Sequence, residues 1–203
     1  MSDSLQSDPN PAVDNRLFVL ILQHPHEKRE PLATAPAIAA GLRRARLVTG
    51  LSWPNLERAL GRPADPKRWA ALYLGSARPK ALGNQGQIIL LGRDGEPLAH
   101  PESILRSLDG IVLLDGTWSQ AKTLWWRNPW LLKLHHLVLN PPHPALLGRL
   151  RREPRREALS TLEAAALVLR HIEAGPDAAD ALLAALDRLI AAARRTPDTA
   201  AGG

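Results

Sequence analysis

The chain of 203 residues, 45% of them hydrophobic, is long enough to bury one sizeable core and too short for two domains of ordinary size. Its 26 basic and 20 acidic residues leave a net charge of +6, a balance that favours a polyanionic partner. Cysteine is absent, which excludes disulfides, thiol nucleophiles and thiolate metal sites and makes a reducing, cytoplasmic compartment the expectation. Residues Met1 to Asn15 lack the basic and apolar stretches of a secretion signal, and no later run approaches the roughly 18 apolar residues of a membrane span. Neither targeting nor membrane anchoring is expected.

In chain order, residues 1–15 are rich in Ser, Asp, Asn and Pro and are predicted to form a disordered tail. A single domain is predicted over 16–195, followed by a second tail over 196–203. Short apolar runs bounded by turn residues predict buried strands at Leu17 to Leu22, Trp69 to Leu74, Gln87 to Leu91 and Gly110 to Leu114, with weaker candidates at Leu47 to Thr49 and Leu137 to Leu139. Helical patterning lies between them, at Thr34 to Arg44, Pro54 to Leu60, Ser119 to Trp126, Ser160 to Ala174 and Pro176 to Arg195. The final two helices are the most clearly punctuated. Ser160 is placed to cap the first of them with Glu163 at the third helical position, and Gly175 followed by Pro176 ends it. This alternation predicts an α/β domain with a mostly parallel sheet flanked by helices. Ligands of such sheets bind beyond the carboxyl ends of the strands, which directs attention to His24 to Glu27, Gly75 to Pro79 and Asp115 to Trp118.

Asp115-Gly116-Thr117-Trp118 follows directly on the most apolar strand, so a carboxylate, a glycine turn and a hydroxyl stand at its mouth. Asp115 is placed either to act on a ligand or to cap the next helix. His24 has three roles open to it: a base, a phosphate contact, or a backbone hydrogen-bonding group at a strand end. Arg149, Arg151, Arg152, Arg155 and Arg156 crowd guanidinium groups into a segment broken by Glu153 and Pro154, a density expected where phosphates dock. Arg43, Arg44, Arg46, Lys122 and Arg127 are candidates to extend that surface. Trp118, Trp125, Trp126 and Trp130 form a second cluster. Trp125 and Trp126 are adjacent and must face different sides of a helix; Trp118 is assigned to the active site and the others to packing.

The string Asp115-Gly116-Thr117-Trp118-Ser119-Gln120-Ala121 resembles the signature of the DTW-domain family. Two further stretches agree with that family in the same order, Leu20 to Glu27 (LILQHPHE) and Arg151 to Ala164 (RREPRREALSTLEA). The resemblance implies a SPOUT-like, knotted α/β fold. It also implies a tRNA-uridine aminocarboxypropyltransferase that uses S-adenosylmethionine as co-substrate and releases 5′-methylthioadenosine; the absence of cysteine ligands makes a metal-free protein the expectation. Many family members carry an N-terminal cysteine cluster resembling a zinc module, and this chain departs from them in having no cysteine. It also carries Leu74-Gly75-Ser76-Ala77 where a proline-containing turn is common.

The imide N3 of uridine is a poor nucleophile while protonated, so the implied reaction needs a base as N3 attacks an activated methylene. Asp115 is the candidate. A carboxylate is a weak base in water, and burial strengthens one. Ser76, Gly116, Thr117 and Trp118 are the candidates to hold the co-substrate, and Ser160 or Thr161 to meet its carboxylate, because helix N-termini attract anions. RNA, above all tRNA, is the implied partner, with His24 and the five arginines as its candidate contacts. Two other classes remain open at this point: a non-catalytic RNA-binding protein of the same fold, and an rRNA aminocarboxypropyl- or methyltransferase that uses the same co-substrate.

Overall fold

A computed structural model describes residues 11–30, 33–72, 88–92, 94–140 and 159–195. The described chain folds in the order β1 (Phe18–Gln23), α1 (Ala35–Gly41), β2 (Ala45–Thr49), α2 (Leu56–Leu60), β3 (Trp69–Leu72), β4 (Ile88–Leu91), α3 (Glu102–Ser107), β5 (Gly110–Asp115), α4 (Trp118–Arg127), β6 (His135–Leu139), α5 (Thr161–Ile172) and α6 (Asp177–Arg195). Among the described residues, short 3-10 helices at Pro25–Arg29, Pro66–Arg68 and Pro129–Lys133 each start on a proline, whose fixed φ and missing N–H suit the first helical position.

One six-stranded sheet runs in the order β2-β1-β5-β3-β6-β4. All neighbours are parallel except β4, which pairs antiparallel with β6 at one edge. The aliphatic strands are buried on both faces, and alternation along them separates two cores. Val19, Ile21, Ile111 and Leu113 face the layer formed by α1, α3, α5 and α6. Leu20, Leu22 and Val112 face α2, α4 and the turn at Pro129–Lys133. Gly110 has a packing reason: a Cβ there would lie 2.6 Å from the indole of Trp69 on the neighbouring strand.

Helix α1 is shorter than the predicted Thr34 to Arg44, because the chain turns at Leu42 to enter β2. Helix α3 has no counterpart in the sequence reading; its six residues, ESILRS, bury only Leu105 and carry too little periodicity to be read. Residues 12–15, assigned to the N-terminal tail, are tied to the domain. Val13 exchanges backbone hydrogen bonds with Gly41 and Arg43, and the buried Asn15 amide donates to the carbonyls of Leu17 and Arg44. At the far side of the same layer, Glu173 just past α5 accepts the N–H of Leu17 at 2.9 Å. Among the described residues no helix is long and apolar enough to cross a membrane.

Candidate active site at the carboxyl ends of the strands

The parallel register aligns Thr49, Gln23 and Asp115 across β2, β1 and β5, each the last residue of its strand. Their side chains form a directed hydrogen-bonded row. Thr49 Oγ1 is 3.0 Å from Gln23 Oε1, to which it donates; this fixes which end of the amide faces away. Gln23 Nε2 then donates to Asp115 Oδ2 at 3.0 Å. On the other carboxylate oxygen, Thr161 Oγ1 donates to Asp115 Oδ1 at 2.5 Å. Asp115 is only 3% exposed, so both oxygens are oriented by donors while most water is kept away. A carboxylate held in this way retains lone pairs on each oxygen and can accept a proton.

Asp115 does not cap α4. Thr117 does: its hydroxyl accepts the N–H of Gln120, and the Gln120 side chain accepts the N–H of Thr117 at 2.7 Å, a complete capping box. The sequence leaves Asp115 open between cap and functional acid, and this geometry removes the cap. Gly116 links the two because space there is restricted; a Cβ would sit 2.8 Å from Gln120 Cβ and 3.4 Å from His24 Cβ. Trp118 opens α4 beside this turn and is 48% exposed.

His24 follows β1, and its N–H donates to the carbonyl of Asp115 at 2.9 Å. Its ring Nδ1 accepts the N–H of His26, capping the turn at Pro25–Arg29. Desolvation, with a smaller contribution from the facing His26 ring, lowers its pKa below the usual histidine value. Of the roles open to His24, the structure displays the backbone one, and it places the residue beside Gly116.

The start of α5 arrives at the same mouth. The Ser160 hydroxyl is engaged by Glu163, donating to Oε2 at 2.7 Å and accepting the Glu163 N–H at 3.2 Å. The capping box read from the sequence is therefore present. Thr161, expected at a co-substrate carboxylate together with Ser160, instead gives its hydroxyl to Asp115. Gln23 and Thr49 are site residues that sequence reasoning missed. The available signal was a polar residue closing an apolar strand, Gln23 after LIL.

Ser76 and the arginines at 149, 151, 152, 155 and 156 lie outside the described residues. Arg43, Arg44 and Arg46 stand around the start of β2, at the opposite end of the sheet from Asp115. Two of them have local partners: Arg43 pairs with Asp14 at 3.4 Å, and Arg46 donates to the Leu60 carbonyl at 2.6 Å. Among the tryptophans, Trp125 and Trp130 are buried as expected, but Trp126 is 75% exposed and is not a packing residue. Asn128, another residue the sequence did not mark, is fully buried. Its Oδ1 accepts from Trp53 N and Trp130 Nε1, and its Nδ2 donates to the carbonyls of Leu51 and Leu124. It thereby ties the segment after β2 to the end of α4.

The chain is 29% identical over 193 residues to tRNA-uridine aminocarboxypropyltransferase 2 of Drosophila melanogaster, covering 89% of the chain and 66% of that protein. It is 31% identical over 173 residues to the protein of the same name from Mus musculus, covering 83% of the chain and 52% of that protein. The chain thus spans just under two thirds of the length of the fly relative and about half of the mouse one. No solved structure matches. The family model for the DTW domain matches residues 3–194, nearly the whole chain, and this protein belongs to the DTW domain family.

Proposed function

We propose that this protein transfers the 3-amino-3-carboxypropyl group of S-adenosylmethionine to N3 of a uridine in tRNA, releasing 5′-methylthioadenosine. The observation that carries the reading is the buried Asp115 carboxylate, oriented by Gln23 and Thr161 within the family's DTW string. The names of the fly and mouse relatives support the reaction class. Residues at the mouth fit the co-substrate: a carboxylate and the half-exposed indole of Trp118 both attract a sulfonium cation. When bound, S-adenosylmethionine supplies an activated methylene carbon as the electrophile.

Asp115 takes the proton from uridine N3 as that nitrogen attacks. Oδ1 is the favoured site for it, because the Thr161 hydroxyl can rotate from donor to acceptor whereas the Gln23 amide is held by Thr49. Trp118 orients the reactants, and selectivity for the methylene over the methyl carbon follows from that orientation, an effect worth roughly 7–11 kcal/mol in favourable cases. The five arginines between 149 and 156, and His24, are assigned to RNA. The knotted SPOUT-like arrangement belongs to the same proposal and rests on membership of the DTW domain family.

The decisive experiment incubates the full chain with S-adenosylmethionine and unmodified tRNA, then analyses nucleosides and co-product by mass spectrometry. Aminocarboxypropyluridine with methylthioadenosine is expected. Methyluridine with S-adenosylhomocysteine would make the protein a methyltransferase. RNA binding with no product would make it a non-catalytic binder, and product on rRNA alone would move the substrate.

A further inference from the structure

Helix α4 buries Leu124 and Trp125 against the sheet and turns a different kind of face to solvent. Trp118, Lys122 and Trp126 follow one another at four-residue intervals, so they form a strip that drifts only about 40° per step. Trp118 is 48% and Trp126 75% exposed, and Leu132, in the turn that follows, is 60% exposed. Arg127 and Lys133 are exposed on either side of that turn. Opposing charge is missing from the whole neighbourhood in sequence: from Gly116 to Arg152 the chain contains no Asp or Glu.

Large exposed aromatics alternating with cations, and no carboxylate among them, match what an unpaired polynucleotide needs. Indole faces stack on bases of any sequence, and ammonium groups neutralise the phosphates between them. An apolar protein partner would be served better by a continuous aliphatic patch than by one interrupted by Lys122. The position of the strip adds a second argument. It begins at Trp118, three residues after Asp115, and the helix carries Trp126 about 12 Å further along. Trp125 in the core and Asn128 at the helix end hold the helix firmly, so the strip is a rigid surface continuous with the active-site mouth.

Resting on the proposed transfer to RNA, we infer that the solvent face of α4 is a stacking platform for unpaired nucleotides flanking the target uridine, with Trp126 stacking a base and Lys122 neutralising the phosphate between that base and the uridine held near Trp118. The platform explains how a uridine is presented to Asp115 out of a structured RNA: its neighbours are held unstacked from one another along the helix.

The test measures the affinity of the full chain for a labelled single-stranded octauridylate and for an unmodified tRNA transcript, by fluorescence anisotropy across a salt series. Trp126→Leu is expected to weaken both by about 5- to 150-fold, the equivalent of losing one base stack, while Trp126→Phe retains most of the affinity. Lys122→Ala is expected to lower the log–log salt slope by about 0.7. S-adenosylmethionine affinity and melting temperature stay at the parental values in Trp126→Leu, whose side chain is mostly in solvent. Parental RNA affinity in Trp126→Leu overturns the inference. So does a parental dimer that dissociates on Trp126→Ser, which would make the face an interface between copies. If the parent modifies tRNA while Trp126→Leu binds and modifies it equally well, the platform fails and the proposed function stands. If RNA binding depends on Trp126 but no product forms, the platform stands and the proposed function fails. If the parent binds no RNA, both fail.

Discussion

Thr161 donates its hydroxyl to Oδ1 of Asp115 at 2.5 Å, although the two residues are 46 positions apart in the chain. The carboxylate therefore depends on the docking of α5 as much as on its own strand. Thr161→Val removes the donor and keeps the shape. The expected result is a kcat lower by about 2- to 10-fold with little change in KM, the worth of one hydrogen bond, and recovery in Thr161→Ser. A uniform loss in both variants would mean that Thr161 only supports packing.

Asp115→Asn replaces two acceptor oxygens with one oxygen and an amide that must meet Gln23 Nε2 or the Thr161 hydroxyl. Because the hydroxyl can turn, the stability cost is expected to stay at about 1–3 kcal/mol, with the fold and RNA binding retained. Transfer is expected to fall by about 10² to 10⁴, the range for loss of a general base. Counting methylthioadenosine released in a single turnover, with melting measured on the same preparation, checks both. A folded variant that keeps more than about a tenth of the parental rate removes Asp115 from the role of required base.

Asn128 uses all four of its hydrogen-bonding positions in full burial. Asn128→Asp turns a double donor into an acceptor against the carbonyls of Leu51 and Leu124. A loss of about 3 kcal/mol in urea unfolding is expected, larger than for most single changes. An unchanged midpoint would show that the end of α4 contributes little to stability.

His136 carries a pH dependence. Burial is the main cause of its lowered pKa, the hydrogen bond to the Leu131 carbonyl opposes that shift, and the neighbouring His135 adds a smaller lowering. Above the ordinary histidine value of about 6.5 the ring is neutral in folded and unfolded chains alike, and its full contribution is present. As pH falls below that value, the unfolded chain takes up a proton that the folded ring resists, so stability drops until the folded ring also titrates. The slope is at most about 1.4 kcal/mol per pH unit for one ring. Melting between about pH 7.5 and 5, a window that brackets the ordinary histidine value, should show this component diminished in His136→Gln. An identical slope would assign it elsewhere.

Arg151 and Arg152 are the test of the arginine-rich segment. Replacing both with Ala is expected to weaken tRNA binding and reduce the log–log salt slope by about 0.7–0.9 for each lost phosphate contact, with S-adenosylmethionine affinity unchanged. An unchanged slope would leave the segment as solvated surface.

Strand positions were legible in the sequence because continuous aliphatic runs such as FVLIL and GIVLL have few other uses. The place of Asp115 was legible for the related reason that a carboxylate closing such a run must stand at the strand's mouth. Gln23 and Thr49 were not, since their value arises from the register of three parallel strands, which no local pattern records. The antiparallel pairing of β4 was hidden for the same reason. The adjacent Trp125 and Trp126 required one inward and one outward side chain; which was which depended on the phase of α4, set by Leu124 against the sheet. Ser160 and Thr161, candidates for the co-substrate carboxylate, give their hydroxyls to Glu163 and Asp115, the second a partner that no local pattern records.

The attachment of α5 at both ends gives it the character of a strut cut to length. Thr161 meets the end of β5 and Glu173 meets the residue before β1, so the helix runs from one rim of the sheet to the other. Its 12 residues span about 18 Å, against about 20 Å for a strand of the six residues in β1. Inserting or deleting one residue within α5 would shift one anchor by about 1.5 Å and rotate it by about 100° relative to the other. Both attachments could not then be made at once, so the length of this helix is as firmly constrained as the identity of the residues at its ends.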